Sequence, residues 1–166
     1  MKIISKRISK KDMQSALDTY NYYIDNSFAN FEEKKLSIRI FTAMYNKIVS
    51  ENLPFLIAKK NSEVVGIAFV NKFRNKSGYK HTFEHSIYVS PKYISQGLGS
   101  KILKELIRQC KNNDNIKNLI AVIGGSDNKS SIKIHKKNGF NYIGTLKKIG
   151  YKKNKWIDSV YMQRKI

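Results

Sequence analysis

The sequence predicts an α/β domain, a mixed central β-sheet with helices on both faces. Three observations lead there. Strand-like and helix-like periodicities follow one another in the order β-α-α-β-β-β-α-β-α-β-β. Ile116 to Ile123 is a largely apolar run of strand length, as expected of a strand buried on both faces. Glycine turns stand between strand and helix at two places, Gly97-Leu-Gly99 and Gly124-Gly125. With 166 residues, of which 41% are hydrophobic and 11% aromatic, the chain can close a proper core. No Pro/Ser-rich linker, charge block or repeat divides it, so residues 1–166 are expected to form a single domain.

Ile3 to Ile8 reads as a first or edge strand, and Asp12 as the cap of a helix running to about Asn26. Met13, Leu17, Tyr20 and Ile24 share one face of that helix. Leu36 to Val49 is a second amphipathic helix through Ile40, Met44 and Ile48. Pro54 to Lys59 and Val64 to Phe73 read as strands joined by an Asn61-Ser62 turn, hence a hairpin. Asn75 to Gly78 is a turn before a long strand, Lys80 to Val89, which Pro91 ends. Gly97 starts a helix ending near Asn112, and Asp127 or Asn128 caps another that Gly139 terminates. Phe140 to Leu146 and Trp156 to Met162 are the last two strands.

The formal charge of +20 would attract any polyanion. The lysines, however, are spread along the whole chain with abundant Asn and Ile and little Arg, which is a compositional drift rather than a basic stripe. The densest patch, Lys147-Lys148 with Lys152-Lys153-Asn-Lys155, reads as a solvated turn, so no specific nucleic-acid partner is expected. No long apolar run follows the strand-like Met1-Lys-Ile-Ile, and neither a signal peptide nor a membrane span is expected. Cys110, the single cysteine, lies on a periodic helix as a small buried or half-buried residue and fits a reducing, cytoplasmic setting. No Cys/His/carboxylate cluster has ligand spacing, so no metal is expected.

The chemistry concentrates between Glu84 and Phe140. Glu84-His-Ser-Ile-Tyr-Val-Ser-Pro91 leads into Ser95-Gln-Gly-Leu-Gly-Ser100 and the helical run from Lys101 to Cys110. A strand running through a glycine turn into a helix gathers free N–H groups and the positive helix end around one point, which suits a phosphate. A second strand–helix unit follows, Ala121-Val-Ile-Gly-Gly125 and Asn128 to His135-Lys-Lys-Asn-Gly-Phe140. Upstream lies Phe73-Arg-Asn-Lys-Ser-Gly-Tyr79, then Thr82-Phe-Glu84; downstream lies Gly150-Tyr-Lys, then Trp156-Ile-Asp158 and Met162-Gln.

This series of motifs resembles the GCN5-related N-acetyltransferase (GNAT) superfamily, and within it the phosphinothricin and methionine-sulfoximine N-acetyltransferase group. The resemblance covers nearly the whole chain. It departs from the family pattern at Ile94, where a Gln or Arg usually begins the phosphate turn, and at Arg74 and Lys76, where the group often carries two arginines. Lysine keeps the charge but loses the bidentate fork.

The resemblance implies a sheet splayed between parallel strands, with acetyl-CoA as cosubstrate and its pantetheine arm held by Ile87, Tyr88 and Val89. Ser95, Gln96, Gly97, Leu98, Gly99 and Ser100 would wrap the pyrophosphate, and Asn128 would touch the pantetheine or serve only as a helix cap. Glu84 is then the base that takes a proton from the substrate ammonium, and His135 the group that protonates the departing thiolate. Arg74 and Tyr79, with Lys76 as a weaker candidate, would hold an anionic substrate. Phe28, Phe31, Tyr151 and Trp156 are candidate pocket-lining aromatics, with core packing the default for each. His81 and His85, at alternating positions beside Glu84, read as sheet-face residues.

The implied reaction is direct transfer of an acetyl group, in a ternary complex, to the α-amine of a small amino-acid-like compound such as phosphinothricin or methionine sulfoximine. A homodimer is implied as well, with Tyr151 to Trp156 among its contacts. The competing expectations are an N-acetyltransferase for another amine (amino sugar, polyamine or protein terminus) and a non-catalytic acetyl-CoA-binding or nucleic-acid-binding module.

Overall fold

The computed structural model describes residues 2–5 and 8–166. Its elements are β1 (Lys2–Ile4), α1 (Lys10–Asn26), α2 (Ile38–Ser50), β2 (Phe55–Lys60), β3 (Glu63–Lys72), β4 (Thr82–Val89), α3 (Leu98–Lys111), β5 (Asn118–Gly124), α4 (Lys129–Lys137), β6 (Asn141–Lys152) and β7 (Lys155–Lys165). Among the described residues, seven strands form one sheet in the order β1-β2-β3-β4-β5-β7-β6. Of their pairings, only that of β4 with β5 is parallel and the others are antiparallel. The expected element order is the observed one.

Side-chain alternation along β4 puts the helices on opposite faces. Tyr88 meets Tyr20 of α1 at 5.4 Å between ring centres, whereas His85 meets His135 of α4 at 5.1 Å. Helix α3 shares the α4 face: an added Cβ at Gly66 would lie 2.7 Å from the Ile102 side chain, and one at Gly99 3.3 Å from Ile134. The core is one cluster, with an aromatic group (Tyr20, Phe41, Phe55, Phe69, Tyr88) under α1 and α2 and an aliphatic group (Ile102, Leu103, Leu106) under α3. Cys110 is fully buried there, and burial pushes its thiol up to about 12, which leaves it inert.

The structure revises three local expectations. Ser9, not Asp12, caps α1, its hydroxyl accepting from the Asp12 N–H; Asp12 is instead buried and paired with Lys59 at 2.6 Å. The expected first strand is three residues long, and Lys6 and Arg7 lie outside the described residues. Strands β6 and β7 run well past Leu146 and start before Trp156, meeting at a two-residue turn, Lys153-Asn154, with both φ positive (51° and 57°).

Lys152 is therefore not part of a solvated turn. It is 2% exposed, and its ammonium donates to the carbonyl oxygens of Ser27 (3.1 Å) and Asn30 (2.5 Å), tying the α1–α2 loop to the sheet. Charged donors to buried carbonyls are worth more than neutral ones, and removing one strands its acceptors. Lys152→Ala is expected to lower unfolding stability by about 2–4 kcal/mol in a denaturant titration; a loss below about 0.5 kcal/mol would show that the loop holds itself.

Candidate active site

Strand β4 pairs with β3 along its whole length, but with β5 only from Thr82 to Glu84, opposite Asn118 to Ile120. Beyond Glu84 the two parallel strands part. Hydrogen-bond alternation fixes which peptides face the gap. Ser90 donates to Val65 and Phe73 to Thr82, so even-numbered β4 residues bond to β3, and Ile87 and Val89 turn their peptide groups toward the opening. On the other bank, Gly125 donates to Asp158, so odd-numbered β5 residues bond to β7, and Val122 and Gly124 face the gap. Tyr88 thus has its peptide paired with β3 and its ring in the core, and the Val89 carbonyl already accepts from the Tyr23 hydroxyl at 2.7 Å.

A cavity of about 420 Å³ passes through this gap. Glu84 and Tyr88 line it on the α1–α2 side, with Asn30 and Phe31 of the loop that Lys152 holds; Asn128, Ser131 and His135 line it on the α3–α4 side. A second cavity, of about 290 Å³, runs along the α3–α4 face past Val89, Ser95, Gly97 and Gly99. The two share Ala29, Ile87, Asn128, Ser131 and His135. The two cavities therefore adjoin at these residues, between the glycine turn and Glu84.

The glycine turn is preshaped. Ser95 and Gly97 both have positive φ (67° and 69°), and Gly97 caps α3 with no side-chain partner for the helix N–H groups. An added Cβ at Gly97 would meet nothing within 4 Å, so the space over the turn is open to a ligand. Leu98 and Ile94 line the same cavity, Ile94 with half of its surface exposed. Gln96 is exposed and takes a 3.5 Å contact from Lys60, and the Ser100 hydroxyl accepts from the Asn138 amide at 3.0 Å; neither lines that cavity. Asn128 is the α4 cap, its Oδ1 accepting from Ser131 N–H at 3.2 Å, so its amide nitrogen is what it could offer a ligand.

Glu84 is half-buried, and burial pushes its carboxyl up from the usual range, with Arg74 pulling the other way. His135 is 3% exposed, and burial pushes its imidazole down, the Ser131 carbonyl opposing. Arg74, Lys76 and Tyr79 sit on the exposed β3–β4 loop and do not line the cavity; Arg74 lies over the Phe73 ring at 5.1 Å and Tyr79 packs on its edge. Of the four candidate aromatics, Phe31 lines the cavity, while Phe28 places its carbonyl against Gly124. Tyr151 and Trp156 are neither pocket nor core: their rings pack against each other at a tilt of 58° and are 52% and 61% exposed. Asp158, in the last motif, pins the β6 irregularity by accepting from Lys147, Lys148 N–H and Ser126, which holds its carboxyl down to about 2.

His85 is a sheet-face residue, and its contact with His135 is what the sequence did not show. It is buried (5%) against Phe140, with its Nε2 2.9 Å from Nε2 of His135. The available signal was its parity: on β4 it falls on the face opposite Glu84, where the second strand–helix unit packs. His81, by contrast, is exposed and bonds the Asn115 carbonyl.

A sheet opened between its parallel strands, a glycine turn at a bare helix start and adjoining cavities between them agree with a GNAT-type acetyltransferase. The chain belongs to that family: the model for the acetyltransferase (GNAT) domain matches residues 6–161. Within it, the protein is an acetyltransferase of the phosphinothricin and amino-acid N-acetyltransferase type. It is 34% identical to the phosphinothricin N-acetyltransferase of Alcaligenes faecalis over 92% of this chain and 77% of that one. Two crystal structures are also similar. The ribosomal-protein-alanine N-acetyltransferase of Brucella melitensis has a TM-score of 0.94 at 30% identity, covering 100% of both chains. The phosphinothricin acetyltransferase of Sinorhizobium meliloti in complex with acetyl-CoA has a TM-score of 0.92 at 30% identity, covering 99% of this chain and 88% of that one. Among the described residues, none of the helices is long and apolar enough to cross a membrane, and no group of three or more His, Cys, Asp or Glu could hold a metal ion.

Proposed function

We propose that the protein transfers an acetyl group from acetyl-CoA directly to the α-amine of a small amino-acid-like substrate, such as phosphinothricin, methionine sulfoximine or methionine sulfone. The carrying observation is the pair of adjoining cavities at the β4–β5 gap, one lined by Glu84 and the other by the glycine turn. Acetyl-CoA fits the residues present. The open space over Gly97 suits a pyrophosphate, and the peptide of Ile87 with the N–H of Val89, whose carbonyl Tyr23 already holds, suits an extended amide-bearing arm lying in the gap. Bound there, acetyl-CoA supplies the activated acyl group.

The protein's own part is positioning and proton traffic. Glu84, basic enough through burial, takes a proton from the substrate ammonium directly or through water. His135, at the seam of the two cavities, supplies a proton to the departing sulfur. Burial of both groups keeps bulk water from competing. Arg74, near enough to lower the Glu84 pKa, meets the carboxylate of the incoming amino acid on that side, with Lys76 and Tyr79 on the same loop.

A cavity of this size suits a small molecule rather than a polypeptide. Acetylation of a protein's terminal amine is the second reading, favoured by the similarity to the Brucella enzyme. A panel of amines with acetyl-CoA, read as free thiol release, separates them. Phosphinothricin and methionine sulfoximine should be used well, and an alanine-terminated peptide, glucosamine and spermidine poorly. Preference for the peptide would overturn the small-substrate reading.

The protein is proposed to act in the cytoplasm as a homodimer. Tyr142, Ile143, Leu146, Ile149, Tyr151 and Trp156 are each at least 48% exposed on β6 and β7, and β6 is a free sheet edge. Light scattering at micromolar concentration should give a dimer, and Ile149→Glu with Trp156→Glu should give a monomer. A monomeric, fully active wild type would contradict this.

A further inference from the structure

The cavity that Glu84 lines carries charge of one sign. Glu32 lines it as well, and among the described residues that line it there is no Lys or Arg. His85 and His135 add no positive charge at neutral pH, because burial pushes both imidazoles down, that of His85 to about 3. Arg74 is near enough to oppose the rise of the Glu84 carboxyl, but it sits on the exposed β3–β4 loop, outside the lining.

The loop between α1 and α2 sets Glu32 in place. The Asn30 side-chain oxygen accepts from the Glu32 N–H at 2.9 Å and closes an Asx turn. Lys152 holds the carbonyl oxygens of Ser27 and Asn30. The loop also lies hard against the sheet: an added Cβ would come within 1.8 Å of the Phe28 carbonyl oxygen at Gly124, and within 2.5 Å of the Phe31 ring at Gly150. Glu32 itself is exposed, so its carboxylate stands at the cavity mouth. Its charge is felt inside. Burial chiefly raises the Tyr20 phenol, and Glu32 adds to that rise while Asn30 opposes it. In Tyr88, burial and the neighbouring Tyr20 phenol lead, and Glu84 and Glu32 both add. Both tyrosines line the cavity.

An anion entering here sheds water without finding a counter-charge in the wall, which is costly. Arg74 can serve the α-carboxylate that every amino acid brings; a second anion on the side chain would face Glu32. Resting on the acetyltransferase reading, we propose that Glu32 determines specificity: the cavity prefers α-amino acids whose side chains end in an uncharged or cationic polar group, and disfavours those with a second negative charge. The selection is electrostatic. Methionine sulfone and phosphinothricin test it cleanly, since they share one skeleton with sulfur and phosphorus exchanged and differ by a single negative charge.

The experiment measures kcat and KM for these two compounds at saturating acetyl-CoA, as free thiol release. The wild type should use both but favour the sulfone in kcat/KM by about tenfold, the scale of one like-charge pair at short range in a partly hydrated site. The difference should lie in KM rather than kcat, because the repulsion is the same in ground and transition states. Raising the salt to ~1 M should shrink the preference severalfold, as an exposed charge requires and a steric fit does not. Glu32→Gln should bring the ratio toward one, and Glu32→Asp should keep the wild-type preference. Equal use of the two compounds by the wild type, a preference for phosphinothricin, or a ratio that persists in Glu32→Gln would overturn the selection and leave the acetyltransferase reading standing. Thiol release with neither compound would overturn both.

Discussion

Glu84→Gln is expected to cut turnover on the amino-acid substrate by about 10²–10⁴-fold at neutral pH, the usual worth of a positioned acid or base. Affinity for acetyl-CoA should hardly change, because Glu84 lies on the α1–α2 side of the gap while the glycine turn is on the α3–α4 side. The sign of the pH dependence follows from burial. Desolvation raises the Glu84 carboxyl above its ordinary value of 4.5, so the wild-type rate should rise with pH as this group ionises and level off once it is fully charged. Glutamine has no such limb. Its rate should climb only as the substrate's own ammonium loses a proton, so the deficit narrows at high pH. Near-normal turnover of Glu84→Gln at neutral pH would remove Glu84 from the mechanism.

Gly97→Val should weaken acetyl-CoA binding by more than tenfold, measured calorimetrically. Gly97 holds φ at +69°, where a side chain costs about 1–2 kcal/mol, itself close to a factor of ten. A β-branched side chain would also fill the open space over the turn, the place where a phosphate would approach. The distinction from Glu84→Gln is clean: one variant should bind and not react, the other should fail to bind. Unchanged affinity would show that the turn is not the phosphate site.

The sequence carried the element order and the glycine turn because both rest on local signals, periodicity and positive-φ residues. Ser9 and Asp12 both suit a helix start, and only geometry shows which oxygen reaches the free N–H. The length of β6 was hidden because Asn141 to Lys152 mixes exposed apolar residues with lysines, and an exposed apolar edge carries no burial pattern. Lys152 defied composition outright: a lysine in a lysine-rich turn reads as solvated, and its burial depends on two carbonyls more than 120 residues earlier in the chain. The His85–His135 contact likewise joins residues 50 apart, and parity gave only the face. Arg74, Lys76 and Tyr79 follow the motif, yet they lie on an exposed loop and do not line the cavity.

The central claim is that acyl donor and amine meet inside the β4–β5 gap. A crystal structure with acetyl-CoA tests this most directly. The pyrophosphate should lie over Ser95 to Gly99, the pantetheine amides should bond the peptide of Ile87 and the N–H of Val89, and the acetyl group should sit beyond the last β4–β5 pair, between Glu84 and His135. An acetyl-CoA bound outside the gap, or with its acetyl group remote from both residues, would contradict the account.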